Sequence, residues 1–157
     1  MYYRRKILLA LLDQFGGKLD KISLQKLLFL FVRQQDKKSF HFVPYRFGCY
    51  SFQANADLKT LTKYNQAIES EKDWMLNDDK DYYQELNTKD KAALRYIKSE
   101  YGNSNCNELI ELTYKNYPFF AINSTIADGF LNEDELKKVD SQRVRKRSEE
   151  RRVGKEC

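Results

Sequence analysis

The stretch Lys21-Ile-Ser-Leu-Gln-Lys-Leu-Leu-Phe-Leu-Phe31 decides the fold. From Leu24 onward, leucine and phenylalanine recur at i, i+3, i+4 and i+7, and further apolar residues thicken that stripe. A helix that is apolar on nearly every side is typical of the centre of a core. The sequence therefore predicts a buried central helix over residues 23–35, with Ser23 as its N-cap.

Helical patterns flank this central segment on both sides. Ser51, Thr88 and Asn132 are suited to cap three of the helices, because their side chains accept bonds from free backbone N–H groups. Gly16-Gly17 ends the first helix, since glycine tolerates the left-handed cap conformation. The flanking predicted helices cover residues 3–15, 52–64, 89–101, 105–116 and 132–139.

Residues 65–77 alternate short apolar and charged positions. This pattern predicts a small β-hairpin, with Ile68 on one arm and Trp74 and Leu76 on the other. Three helices followed by a hairpin is the order of a winged helix-turn-helix. We therefore expect a mainly α fold, a compact domain of about six helices, with a winged-helix-like first half.

The charge of the chain is concentrated at its end. The 28 Lys and Arg residues against 23 Asp and Glu residues give a net charge of +5, but residues 1–142 carry only +1. Residues 147–157 resemble translated sequencing-adapter read-through. We therefore expect a helical domain over residues 1–142 and a disordered basic tail over residues 143–157, artefactual from residue 147.

Composition and cysteine usage exclude several classes of protein. Aromatic residues make up 14% of the chain, which excludes a disordered polyelectrolyte, and no apolar run reaches the roughly 18 residues of a membrane span. Cys49 and Cys106 lie far apart and fit neither a disulfide framework nor a metal site. The pattern favours a reducing cytoplasm, no bound metal or cofactor, and no membrane partner.

No residue pattern predicts catalysis, and we do not expect an enzyme. A nucleophile–histidine pair would have to use His41, the only histidine, and Cys49 follows it in a loop. Asp78, Asp79 and Asp81 form an acidic cluster suited to a cation or to acid–base chemistry. A solvated loop is the simpler interpretation of that cluster.

Residues 40–52 form the most distinctive segment, because six of the thirteen are aromatic. Pro44 and Gly48 exclude a continuous helix, so the segment is predicted to be extended or irregular. Its rings could fill the core of a loop or anchor a protein partner. They could also stack single-stranded bases, with Arg46 and Arg33 contacting phosphates.

The helical stretch from Lys21 to Phe31, the segment from Phe42 to Phe52 and the following Ala56-Asp-Leu58 together resemble the SocA-like antitoxin domain, also called Panacea. That family has a leucine-rich helix, an aromatic turn and then a helix with spaced leucines. The resemblance covers about residues 5–76. It departs at Cys49, where the family commonly has proline. The similar proteins include a subgroup in which the domain begins a longer prokaryotic protein.

The resemblance implies a non-catalytic protein-interaction module of antitoxin or proteolytic-adaptor type, whose partner is a toxin or a client protein. Two alternatives stay open, namely a winged-helix-like DNA-binding regulator and the regulatory N-terminal domain of a longer protein with activity beyond it. The sequence leaves the oligomeric state undetermined. The residues predicted to bind the partner are Pro44, Tyr45, Phe47, Tyr50 and Phe52.

Overall fold

The computed structural model describes residues 2–156. Within that range the chain forms six α-helices and five short β-strands, so the predicted mainly α fold is confirmed. The chain divides into two compact units. The first unit contains the residues up to Phe42 together with Ser51–Leu109, and the second contains Val43–Tyr50 together with the residues from Ile110 onward.

Short strands alternate with helices in the first half of the chain, and helices alone follow. Three short 3-10 helices lie at Tyr82–Glu85, Pro118–Ala121 and Ala127–Gly129. The α-helices and strands are, in chain order, α1 (Tyr3–Gln14), β1 (Lys18–Asp20), α2 (Lys21–Arg33), β2 (Val43–Tyr45), β3 (Gly48–Tyr50), α3 (Phe52–Lys63), β4 (Ala67–Glu69), β5 (Asp73–Leu76), α4 (Thr88–Tyr101), α5 (Cys106–Asn116) and α6 (Glu133–Glu156).

Three strands of the first unit form an antiparallel sheet in the order β1-β5-β4. Trp74 on the central strand lies opposite Leu19 on one side and Glu69 on the other. The hairpin predicted over residues 65–77 is thus confirmed as β4–β5, and β1, which the sequence does not predict, completes the sheet. The strand after the first helix pairs with the hairpin after the third, as in a winged helix-turn-helix, so the winged-helix-like first half is confirmed.

The core of the first unit is centred on α1 and α2. Residues 7–12 of α1 and residues 23–32 of α2 are buried without interruption. A helix that is buried on all sides must be covered by neighbours rather than lie on a surface, as the predicted role of α2 requires. Each fully buried leucine in these runs stabilises the fold by about 1.5–3 kcal/mol relative to an exposed one.

Two predicted helix caps are wrong, because the cap is the residue whose side chain reaches the third backbone N–H beyond it. For α2 the cap is Asp20, whose carboxylate accepts a bond of 2.9 Å from the N–H of Ser23. For α4 the cap is Asn87 rather than Thr88, and its side chain accepts a bond of 2.8 Å from the N–H of Asp90. Both helices consequently start earlier than predicted.

The caps predicted for α3 and α6 are confirmed. The Ser51 hydroxyl accepts a bond of 3.1 Å from the N–H of Ala54. Asn132 and Glu135 each accept a bond from the other's backbone N–H, which forms a capping box at the start of α6.

The sixth helix is much longer than its predicted end at Val139. It continues to Glu156, so the segment over residues 143–157 that is predicted to be disordered is helical in its described part. The reason is that residues 143–153 are mostly good helix formers, and no proline or glycine interrupts the helix between residues 133 and 153. The resemblance of residues 147–157 to adapter read-through stays a prediction.

Candidate partner-binding site

The predicted aromatic segment contains a β-hairpin in the second unit. Strands β2 and β3 pair antiparallel, with Val43 opposite Tyr50 and Tyr45 opposite Gly48. Only two residues connect the strands, so Phe47 lies at the tip. Gly48 follows the tip with a φ of 98°, a left-handed conformation that glycine adopts without strain.

The hairpin exposes two large rings. The side chains of Tyr45 and Phe47 are 37% and 43% exposed, while Pro44 and Tyr50 are half-buried. The Tyr45 and Tyr50 rings are 5.2 Å apart between centroids, and the Arg46 guanidinium lies 5.6 Å from the centroid of the Tyr45 ring. The exposed tip therefore presents packed aromatic rings flanked by one positive charge.

The backbone of the hairpin is fixed by a segment about 79 residues later in the chain. The Thr125 N–H donates to the Arg46 carbonyl at 2.9 Å, and the Thr125 hydroxyl donates to the same oxygen at 3.3 Å. The Asn123 side-chain amide donates to the Pro44 carbonyl at 3.2 Å. These bonds hold the strand before the tip and the tip itself in one conformation. Asn123 and Thr125 cannot be predicted as anchors from the sequence, because nothing local indicates a bond across such a separation.

The anchoring segment is itself held by a buried tyrosine. The Tyr114 hydroxyl and the Ser124 hydroxyl are 2.6 Å apart, and the Ser124 hydroxyl also accepts a bond from the N–H of Ile126. Burial raises the pKa of Tyr114 to about 12 despite the opposing effect of the Ser124 hydrogen bond. Tyr114 thus keeps its proton at neutral pH and remains able to share this hydrogen bond.

The structure places four of the five predicted partner-binding residues on the hairpin. The fifth, Phe52, begins α3 in the first unit, where it is 56% exposed. Pro44, Tyr45, Phe47 and Tyr50 therefore form one candidate site, which we call the aromatic hairpin. Phe52 belongs to the first unit and is not counted in this site.

Of the residues considered for catalysis, Cys49 is buried and Asp78 is hydrogen-bonded, whereas His41, Asp79 and Asp81 are exposed. The Cys49 side chain is fully buried, and the His41 backbone N–H donates to the side chain of Gln53. Asp78 accepts bonds from the Lys80 N–H, the Tyr82 hydroxyl and the Gln66 amide, and its pKa is lowered chiefly by the bond from Lys80. Asp78 therefore joins the loop after β5 to Gln66 and Tyr82, which is a structural role.

The described part of the chain contains neither a metal centre nor a helix that could span a membrane. No group of three His, Cys, Asp or Glu side chains is arranged to hold a metal ion within residues 2–151, whose side chains the structure describes. In the same range, no helix combines the length and the apolar character needed to cross a bilayer.

Helix α3 takes the place of the recognition helix of a winged helix-turn-helix, but its surface is nearly neutral. The Lys59 ammonium contacts the Glu69 carboxylate at 2.5 Å, and Lys21 contacts the same carboxylate at 2.6 Å. The hydrogen bond from Lys21, followed by that from Lys59, lowers the pKa of Glu69. Lys59 is thus neutralised by the sheet, and Lys63 is left as the second exposed cation of the helix.

No protein-family model matches the chain, and no curated protein matches it either. The resemblance to SocA-like antitoxins therefore remains a prediction from the sequence.

Proposed function

We propose that the protein is a non-catalytic interaction module of antitoxin or proteolytic-adaptor type, which binds a protein partner through the aromatic hairpin. Tyr45 and Phe47 are the anchors, and Pro44 and Tyr50 support them. The observation that carries the proposal is the exposure of two large rings on a backbone that Asn123 and Thr125 hold in place. The antitoxin or adaptor role comes from the family resemblance.

The energetics of interfaces favour such a site. A few large aromatic side chains supply most of the free energy at a typical protein interface, and truncation of one costs about 2 kcal/mol or more. A hairpin that is already ordered loses little conformational entropy on binding, so more of that free energy appears as affinity. Rings that were exposed on a mobile loop would lack this advantage.

The first experiment compares two double variants as bait for a partner from prokaryotic lysates. In Tyr45→Ala/Phe47→Ala the hairpin loses both anchors, whereas Tyr64→Ala/Tyr96→Ala removes two exposed rings of the first unit. We expect the wild type and the Tyr64/Tyr96 variant to retain the same specific protein, and the hairpin variant to lose it. Circular dichroism checks that both variants keep the fold. Equal retention by the two variants contradicts the proposal.

The second experiment tests the role of the captured protein. If the partner is a toxin, its expression arrests growth, and co-expression of the wild type restores growth while the hairpin variant does not. If the module is a proteolytic adaptor, the half-life of the partner shortens in the presence of the wild type only. A captured partner whose activity and half-life are both unaffected contradicts the antitoxin or adaptor role, but leaves the binding site intact.

The second candidate function is DNA binding, because the first unit has the topology of a winged helix-turn-helix. In this case α3 enters the major groove and Lys59 and Lys63 contact phosphates. Titration of a duplex library at low salt tests it. Binding that weakens steeply with salt and is lost in Lys59→Gln/Lys63→Gln supports DNA binding through α3, and unchanged binding in that variant dismisses it.

A further inference from the structure

The tip of the aromatic hairpin carries one charged side chain between its two exposed rings. Arg46 and Phe47 are the two residues that connect β2 to β3, and the side chains of Tyr45, Arg46 and Phe47 are all exposed. The Arg46 guanidinium lies 5.6 Å from the centroid of the Tyr45 ring. A partner that covers the Tyr45 ring therefore covers this cation as well.

The Arg46 guanidinium has no anionic partner in the described part of the chain. Within residues 2–151 no carboxylate oxygen lies within 4 Å of it, and no oxygen accepts a bond from its N–H groups. The Arg46 backbone carbonyl, in contrast, accepts two bonds from Thr125. The residue is thus held in place by its backbone, while the N–H donors of its side chain remain available to a partner.

The two segments that form the hairpin and its anchor carry no other full charge. Arg46 is the only Lys, Arg, Asp or Glu within residues 39–52, and residues 116–127, which include Asn123 and Thr125, contain none. A nucleic acid presents a phosphate at every nucleotide and is bound by several cations along its backbone. A single cation between two rings instead matches one isolated anionic group in an apolar setting, as a carboxylate on a protein surface provides.

We infer, on the basis of the proposed function, that the aromatic hairpin binds a protein surface on which one Asp or Glu carboxylate lies among apolar side chains, and that Arg46 pairs with this carboxylate. A guanidinium that is covered without an anion loses its hydration and gains no attraction in return, so a partner without the carboxylate is disfavoured. With the carboxylate present, the planar guanidinium donates two parallel hydrogen bonds, which an ammonium group cannot do. Arg46 thus discriminates between partners, while Tyr45 and Phe47 supply the apolar contact.

The test selects ligands from a phage-displayed library of random 12-residue peptides, with the full chain as bait. Peptides that the wild type retains and Tyr45→Ala/Phe47→Ala loses are ligands of the hairpin. We expect these peptides to be enriched in Asp or Glu next to aromatic or aliphatic residues. Selection against Arg46→Glu, which reverses the charge, should enrich Lys or Arg instead. The matched control is Arg145→Gln, which removes an exposed arginine of α6 and should keep the acidic preference.

The affinities of one selected peptide, measured by fluorescence anisotropy, give the size of the effect. Arg46→Gln should weaken binding by about tenfold or more. Arg46→Lys should weaken it less, because the ammonium group keeps the charge but loses the paired donors. Replacing the acidic residue of the peptide with its amide should weaken binding as much as Arg46→Gln does. The two changes together should cost little more than either one alone, because both remove the same contact.

Three results would count against this assignment. Hairpin-dependent peptides without acidic enrichment, or equal affinity of the wild type and Arg46→Gln, overturn the inference and leave the proposed function intact. A selection that yields no peptide dependent on Tyr45 and Phe47 contradicts the proposed function, and the inference with it. A labelled 20-nucleotide single strand whose binding is lost in Arg46→Gln and kept in Arg145→Gln overturns the inference in favour of a nucleic acid.

Discussion

The two units are stabilised by different kinds of contact. In the first unit, buried polar side chains join elements distant in sequence. The Gln25 amide bonds both the carbonyl and the N–H of Ser51, and the buried Asp90 carboxylate accepts bonds from Tyr3 and Gln35. In the second unit, Asn123 and Thr125 hold the backbone carbonyls of a hairpin whose rings stay exposed.

This difference separates stability from recognition. In the first unit the polar networks close a continuous apolar core around α1 and α2, so the side chains of these networks and of the core are committed to the fold. In the second unit the bonds from Asn123 and Thr125 end on backbone carbonyls of the hairpin, and the rings of Tyr45 and Phe47 stay exposed. Variants of both units test this contrast, from the largest expected effect to the smallest.

Replacement of the buried ring of the winged-helix sheet is expected to have the largest effect. Trp74 is buried on the central strand, with the ammonium groups of Lys21 and Lys59 at 5.2 and 5.8 Å from its ring. Trp74→Ala should lower the free energy of unfolding by about 3–5 kcal/mol, measured by urea denaturation with circular dichroism. The matched control is Met75→Ala, whose side chain lies on the outer face. Similar losses for the two variants would mean that the sheet does not cover a core.

Removal of the buried amide between α2 and the start of α3 is expected to have the next largest effect. Gln25→Ala leaves the carbonyl and the N–H of Ser51 buried without their partner. Each such group costs about 1–3 kcal/mol, so the free energy of unfolding should fall by about 2 kcal/mol or more. Gln34→Ala, at an exposed position beyond the end of the same helix, serves as control. A loss below about 0.5 kcal/mol would contradict the role of this bond.

The buried tyrosine of the second unit should have a smaller effect, which grows with pH. Tyr114→Phe removes the hydrogen bond to Ser124 and is expected to cost about 1 kcal/mol at neutral pH. The folded pKa of Tyr114 is raised to about 12, mainly by burial. Its contribution is therefore fully present below the unfolded pKa of about 10 and is lost as pH rises toward 12. The variant should show a flatter decline above pH 10 in alkaline denaturation.

Tyr3 of the first unit provides the matched comparison for Tyr114, because burial raises its pKa to about 12 as well. Tyr3→Phe should flatten the same alkaline limb, and Tyr96→Phe, at an exposed ring, should not. An alkaline limb that is unchanged in both buried-tyrosine variants would show that neither hydroxyl is linked to unfolding.

The smallest effect is expected at Glu69. Hydrogen bonds from Lys21 and Lys59 lower its pKa in the folded state, so its contribution is present above the unfolded pKa of about 4.3 and is lost as pH falls through the folded value. Glu69→Gln should change the free energy of unfolding by less than about 1 kcal/mol at pH 7, because the groups are partly exposed. Acid denaturation should be flatter in this variant than in Glu71→Gln. A steeper acid limb would contradict the assignment.

The sequence predicts those parts of the fold that depend on local pattern. The leucine spacing locates α2, and the alternation over residues 65–77 locates the β4–β5 hairpin. It does not locate β1, because the strand has only three residues and exists through pairing with β5, more than fifty residues later. It also ends α6 too early, since the apolar stripe stops at Val139 while helix-forming residues continue the helix without one.

For the candidate site, the sequence predicts which aromatic residues are present, but not the hydrogen bonds that hold the hairpin in place. The high frequency of aromatic residues in the segment 40–52 indicates Tyr45 and Phe47 as candidate anchors. Proline disfavours a helix interior, so Pro44 excludes a continuous helix there. Which rings are exposed depends on the pairing of β2 with β3. The bonds from Asn123 and Thr125 depend on tertiary structure, for which a single sequence contains no periodic signal.

Within residues 2–156 each unit contains one thiol, and the two thiols differ in protection. Cys49 on β3 is fully buried, whereas Cys106 at the start of α5 is half-buried and has a pKa raised chiefly by burial. In a Cys157→Ser background, alkylation of Cys49 requires transient opening of the hairpin, so its labelling rate measures how often the anchored conformation is lost. A partner that binds the rings should slow the alkylation of Cys49 but not that of Cys106, so the labelling rate of Cys49 would report partner binding.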